Sequence, residues 1–157
     1  MTRRQLFQFL SALGLAPAIT HAAAPMPEKL SLSKAEWQRR LTPAQYAVLR
    51  DHGTERAGTS PLNNEKRAGA YHCAGCELPL FASESKFDSG TGWPSFFAAL
   101  PGAVGTSTDF KMVLPRTEYH CARCEGHQGH VFDDGPKPTG KRYCNNGVAL
   151  RFVAAAA

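Results

Sequence analysis

The sequence predicts a mainly β domain with short helices gathered near its start. Three observations carry this. The 157 residues include 14 Gly and 11 Pro, which supply many turns and leave little room for long helices. Two capping-box patterns occur before residue 50, each opening a short helix. From Gly69 onward, strand-like segments alternate with Pro94, Pro101, Pro115, Pro136 and Pro138. The length fits one domain with a core of its own. Eighteen Lys and Arg against 13 Asp and Glu give a net charge of +5. That is weak support for a nucleic-acid partner, because Arg3 and Arg4 belong to a leader-like segment.

Residues 1–24 read as an export signal. Thr2-Arg3-Arg4-Gln5-Leu6-Phe7 has a twin-arginine look, and Thr20-His21-Ala22-Ala23-Ala24 supplies small residues for cleavage. The apolar stretch between is broken by Gln8, Ser11 and Gly14 and is shorter than the ~18 residues of a membrane span, so no stable membrane insertion is expected. The expected destination is the bacterial periplasm. Residues 25–30 read as a linker, 31–153 as the domain and 154–157 as a tail.

Ser33 and Glu36 have the spacing to cap each other's backbone N–H groups at one helix start. Thr42 and Gln45 repeat the device, with Pro43 at the first helical position. Gly53 marks a stop, and Trp37, Leu41, Tyr46 and Leu49 face the core. The expected strands are 70–73, 110–114, 117–121, 129–132 and 148–153.

Tyr71-His72-Cys73-Ala74-Gly75-Cys76-Glu77 nearly repeats as Tyr119-His120-Cys121-Ala122-Arg123-Cys124-Glu125. Two Cys-x-x-Cys pairs suit a closed, tetrahedral, structural zinc site made by Cys73, Cys76, Cys121 and Cys124. Redox-active pairs are the competing reading, but a thioredoxin-like motif opens a helix after a strand, and neither pair does so. Structural disulfides are the other alternative, favoured by an oxidising destination.

Cys144 is left over. In a strand, Arg142, Cys144 and Asn146 project to one side, where a guanidinium favours the nucleophilic thiolate. The same alternation puts His130, Phe132 and Asp134 together, with His127 in a turn just before. A thiol, two histidines able to donate protons, and polar groups to orient them make a candidate catalytic set. Trp93 sits in the Gly90-Thr91-Gly92-Trp93-Pro94 turn. It is read either as a wall for a methyl or methylthio group, through sulfur–aromatic contact, or as a core anchor.

Together these strings resemble the B-type peptide methionine sulfoxide reductases (MsrB). The matching segments are Cys73 to Cys76, Lys86 to Phe96, Cys121 to Cys124, Gly126 to Pro136 and Arg142 to Gly147, with Thr54 to Thr59 earlier. The resemblance spans residues 31–153. It implies a compact domain of two antiparallel sheets with the zinc far from the active site. It implies a peptide-methionine (R)-S-oxide reductase that passes through a Cys144 sulfenic acid and repairs oxidised proteins. It casts Cys144 as nucleophile, Trp93 as the methyl wall and Phe132 as apolar lining. His127, His130, Asp134, Arg142 and Asn146 become the polar shell.

Many members of that family carry a resolving cysteine, in one large group at the position of Thr91. This chain has no sixth Cys, so an external thioredoxin-like or small-thiol reductant is expected. Oxidised proteins or peptides are the expected substrates, and the protein is expected to be a monomer. A zinc-ribbon module for nucleic acid or protein is the alternative; it gives Cys144 no purpose. A zinc hydrolase or deaminase requires an open metal position, and the His-x-Glu deaminase signature is missing.

Overall fold

The computed structural model describes residues 27–156, so the export-signal reading lies outside the described residues. Helix α1 (Lys34–Arg40) opens on the expected capping box: Glu36 N–H donates to Ser33 Oγ and Ser33 N–H to the Glu36 carboxylate. Helix α2 (Pro43–Leu49) repeats it with Thr42 and Gln45. A capping residue of this kind contributes about 1 kcal/mol, which matters in helices of seven residues.

The rest is strands. These are β1 (Gly69–Cys73), β2 (Pro79–Ala82), β3 (Lys86–Phe87), β4 (Ser95–Phe96), β5 (Val104–Asp109), β6 (Arg116–Cys121), β7 (His127–Phe132), β8 (Arg142–Asn145) and β9 (Leu150–Ala154). They form two antiparallel sheets, ordered β2-β1-β9 and β3-β4-β8-β7-β6-β5.

The expected strand at 110–114 is not there. Those residues form an exposed loop, with Phe110, Met112, Val113 and Leu114 facing solvent. The strand lies just before it, as β5, the edge of the larger sheet. The expected strand at 148–153 begins as a 3-10 turn, Gly147–Ala149, and its ladder reaches Ala154, which pairs with Gly69.

The core packs aromatics from both sheets. Tyr71, Phe81, Phe96 and Tyr119 have no solvent exposure, and Phe81 stacks on Phe96 at 4.2 Å between centroids. Each such ring contributes roughly 1.5–3 kcal/mol by burial. Helix α2 closes one end of this core. Its Leu49 lies against Gly75 and Gly126, beside the turns of the two cysteine pairs.

Candidate active site

The near-repeat folds as the same turn twice. Cys73 closes β1 and Cys121 closes β6; Glu77 N–H donates to Cys73 O (2.8 Å) and Glu125 N–H to Cys121 O (2.9 Å). Glu77 and Glu125 both adopt positive φ, 64° and 57°, so each turn is completed by a left-handed residue. The four cysteines are buried and free of disulfides. Their sulfurs lie within 4.8 Å of one another, with Cys73–Cys124 at 3.6 Å and Cys76–Cys121 at 3.4 Å. A tetrahedral ion held at about 2.3 Å by thiolates separates them by roughly 3.8 Å, so the set fits one. Gln128 Nε2–H reaches Cys73 Sγ at 3.4 Å and offsets part of the negative charge such a cluster carries.

Cys144 lies on β8, opposite His130 of β7 and Ser95 of β4. It lines a cavity of about 130 Å³ together with Trp93, Phe132, His130, Arg116 and Asn146. The strands approach closely here because residue 129 is glycine; a Cβ at that position would overlap the Cys144 carbonyl oxygen. Trp93 is half-buried and part of the cavity wall, and its Nε1–H donates to Glu55 O at 3.1 Å. Arg142 stacks its guanidinium 4.4 Å over the Phe132 ring and makes two hydrogen bonds to Asp134, at 2.8 and 2.7 Å.

Burial pushes the Cys144 thiol up from its ordinary value. Arg142 charge, and hydrogen bonding from Thr91 and Arg142, pull it back without offsetting the burial. The expected thiolate-favouring guanidinium is therefore present, but it does not leave the free thiol easy to ionise.

Three sequence placements need correction. His127 is not in a turn but starts β7. Regular alternation would put it on the face opposite His130. A bulge against Tyr119 and His120 swings it round, and the two rings sit 5.5 Å apart. The bulge also turns Gln128 inward toward Cys73. Asn146 lies past the end of β8 and is not carried by the same alternation as Cys144. It lines the cavity, yet its amide is used: Nδ2–H donates to Gln128 O and Oδ1 accepts from Glu55 N–H. Asp134 is exposed, beyond β7; it holds Arg142, which stacks on Phe132 of the cavity wall, and neither Asp134 nor Arg142 is itself among the cavity-lining residues.

The sequence reading missed Glu118, Asp109, Arg116 and Glu55. Glu118, 4% exposed, accepts from His127 Nδ1–H (2.8 Å), His120 Nδ1–H (3.1 Å) and Ser107 Oγ–H (2.7 Å). Asp109 binds both His130 and Arg116 at 2.7 Å. Arg116 also lines the Cys144 cavity, and its buried Nε has no hydrogen-bond partner among the described residues. The Glu55 carboxylate takes Gly147 and Val148 N–H and holds the turn after Cys144. The alternation of Arg116, Glu118 and His120 along β6 was the available signal for a polar face.

A family model described as the SelR domain matches residues 41–154, well over half of the chain. Peptide methionine sulfoxide reductase MsrB of Agrobacterium fabrum is 53% identical over 125 residues, covering 79% of this chain and 93% of that protein. The chain belongs to the MsrB family. The rat methionine-R-sulfoxide reductase B2, mitochondrial, is 50% identical over 79% of this chain and 76% of its own. Peptide methionine sulfoxide reductase B1, chloroplastic, of Arabidopsis thaliana is 53% identical over 81% of this chain; the match spans 63% of that longer protein. In this MsrB chain the four-cysteine pocket and the Cys144 cavity are joined by a hydrogen-bonded path. It runs from Cys73 through the Gln128 amide to Asn145, whose Oδ1 accepts from Tyr119.

Proposed function

We propose that the chain reduces peptide-bound methionine-R-sulfoxide to methionine with Cys144 as nucleophile, and so repairs oxidised proteins. The observation that carries this is a single half-buried thiol beside His130 in a small cavity walled by Trp93 and Phe132. The space suits the end of a sulfoxide side chain, with its methyl against an indole face.

Sulfoxide sulfur is electrophilic, and its oxygen leaves only as it gains a proton. Cys144 Sγ attacks that sulfur while His130 supplies the proton. The oxygen ends as the hydroxyl of a Cys144 sulfenic acid, methionine sulfur gains two electrons, and cysteine sulfur loses two. His130 shares the cavity with Cys144, whereas His127 sits behind it on Glu118. Burial lowers the His130 pKa and the bond to Asp109 only partly opposes that shift, so the ring rests largely neutral and Asp109 is the group that steadies the imidazolium when the ring takes up the proton it passes to the sulfoxide oxygen. Two external thiols, or one dithiol protein of thioredoxin type, then return Cys144 to the thiol with loss of water.

The ion at the four cysteines is zinc in this reading, and its bound form fixes the turns of β1 and β6 and takes no part in the reaction. Export through a twin-arginine signal to the periplasm completes the proposal, and carrying a folded, metal-loaded chain across the membrane spares those thiols from oxidation.

A single-turnover assay tests the reaction. Reduced, metal-loaded protein meets N-capped methionine-R-sulfoxide or methionine-S-sulfoxide without added reductant. The expected result is about one methionine per chain from the R form alone, with sulfenic acid on Cys144. Product from the S form, or turnover by Cys144→Ser, overturns it.

A further inference from the structure

We propose that His52, Glu118 and His127 form a second, exchangeable site for a divalent transition-metal ion, separate from the four cysteines, and that its occupancy inhibits the enzyme. The three offer ligand atoms that lie within 4.8 Å of one another. The His52 and His127 rings are 5.0 Å apart, centroid to centroid. Two imidazoles and a carboxylate are a borderline donor set, suited to zinc, cobalt or copper and poor for calcium or magnesium. Metal–nitrogen bonds of about 2.0–2.1 Å require the three atoms to close together somewhat. His52 is exposed and takes up that movement at low cost.

The buried half of the site is already built. His120 and Ser107 hold the Glu118 carboxylate from its far oxygen, and Glu118 in turn orients His127. The His120 and Ser107 bonds are second-sphere contacts of the kind that position a metal ligand, while the Glu118–His127 bond joins two members of the set and holds them side by side. Burial alone would raise the Glu118 pKa; the bonds from His120, His127 and Ser107 outweigh it and keep the group ionised. Burial also lowers the His52 pKa, which keeps that ring neutral and able to ligate. The hydrogen bonds that fix Glu118 and His127 do not use His52. Yet His52 is held over them with φ at 54°, a backbone conformation uncommon outside glycine. The space in front is a cavity of about 320 Å³ that also contains His130, Asp109 and Lys111. The Lys111 ammonium opposes a cation there and the Asp109 carboxylate favours one, which points to a weaker, reversible site beside the closed cysteine cluster.

Binding would immobilise His127 and crowd His130 from the side away from Cys144. The inhibitory half of this inference rests on the reductase reading; the binding half does not. The test begins with protein already holding its cysteine-bound zinc, with Cys144→Ser so that the free thiol cannot contribute. Cobalt is titrated in, and bound metal is counted after equilibrium dialysis. The expected result is one further equivalent, with weak visible d–d absorption and none of the intense bands of thiolate ligation. His52→Asn removes the imidazole while tolerating the left-handed backbone, and it is expected to abolish that equivalent. In the Cys144 enzyme, His52→Asn is expected to keep its basal activity and lose inhibition by micromolar zinc. Failure of the parent protein to take up the further equivalent, or its retention by His52→Asn, overturns the site. Uptake without inhibition overturns the regulatory half. A chain inactive on every sulfoxide leaves the metal count to decide the binding, and refutes the reductase reading separately.

Discussion

At the scale of single residues, Cys144 is set to ionise late. Burial raises its pKa, and Arg142 is the main force against that rise. A thiol reacts as thiolate, so iodoacetamide labelling of Cys144 is expected to keep rising with pH beyond about 9.5, where an ordinary thiol of pKa about 8.5 levels off. Arg142→Ala removes the opposing charge and pushes the pKa further up. Labelling at pH 7.5 is expected to slow by about tenfold for each added pKa unit; an unchanged rate would show that Asp134 already cancels the guanidinium. Cys144 itself was legible as the odd cysteine in the sequence. Glu118 and Asp109 were not, because a lone carboxylate in a string usually belongs to a solvated face. Only their pairing with His127 and His130 across strands reveals them.

At the scale of elements, the β7–β8 ladder sets the distance between His130 and Cys144, and Gly129 permits it. Gly129→Ala is expected to cost about 2–4 kcal/mol in urea unfolding and to reduce kcat far more than it raises KM. Equal stability with normal turnover would mean the strands part without loss. The capping boxes of α1 and α2 were readable from four residues each, since both partners are local. The strand β5 was not. As an edge strand reading Val-Gly-Thr-Ser-Thr-Asp, it carries little apolar pattern. The apolar run that follows it drew the strand assignment to a loop. His127 was misplaced for a related reason: a bulge depends on the partner strand and leaves no mark in periodicity.

For the whole molecule, the four cysteines join the two sheets, since Cys73 ends a strand of the smaller and Cys121 a strand of the larger. Zinc peptides of this class show apparent binding energies of roughly 10–16 kcal/mol, comparable to the whole stability of a domain. Chelation under reducing conditions is expected to abolish the cooperative thermal transition, not merely lower Tm by a few degrees; calorimetry of the zinc-loaded and stripped forms decides this. Acid acts on the larger sheet. The Asp109 pKa is held down chiefly by Lys111 N–H, and Glu118 is held down by its three donors against burial. Folded values below the unfolded ones mean that their contribution is complete above about pH 4.3 and is lost as pH falls toward the folded values. Tm in the metal-loaded protein is therefore expected to fall below about pH 4.3, and less so in Glu118→Gln. The sheet architecture came from family resemblance; strand pattern alone gave a β class without saying which strands would pair.

The twin turns also impose an order on biogenesis. Cys76 and Cys121 are 45 positions apart, and a ribosome adding about 5–20 residues per second takes roughly 2–9 s to cover that distance. Through that interval the first cysteine pair has no mate and no full metal cage. An ion bound by all four thiolates can therefore be caged only after the second turn is made, and until then the first pair stands as two uncaged thiols.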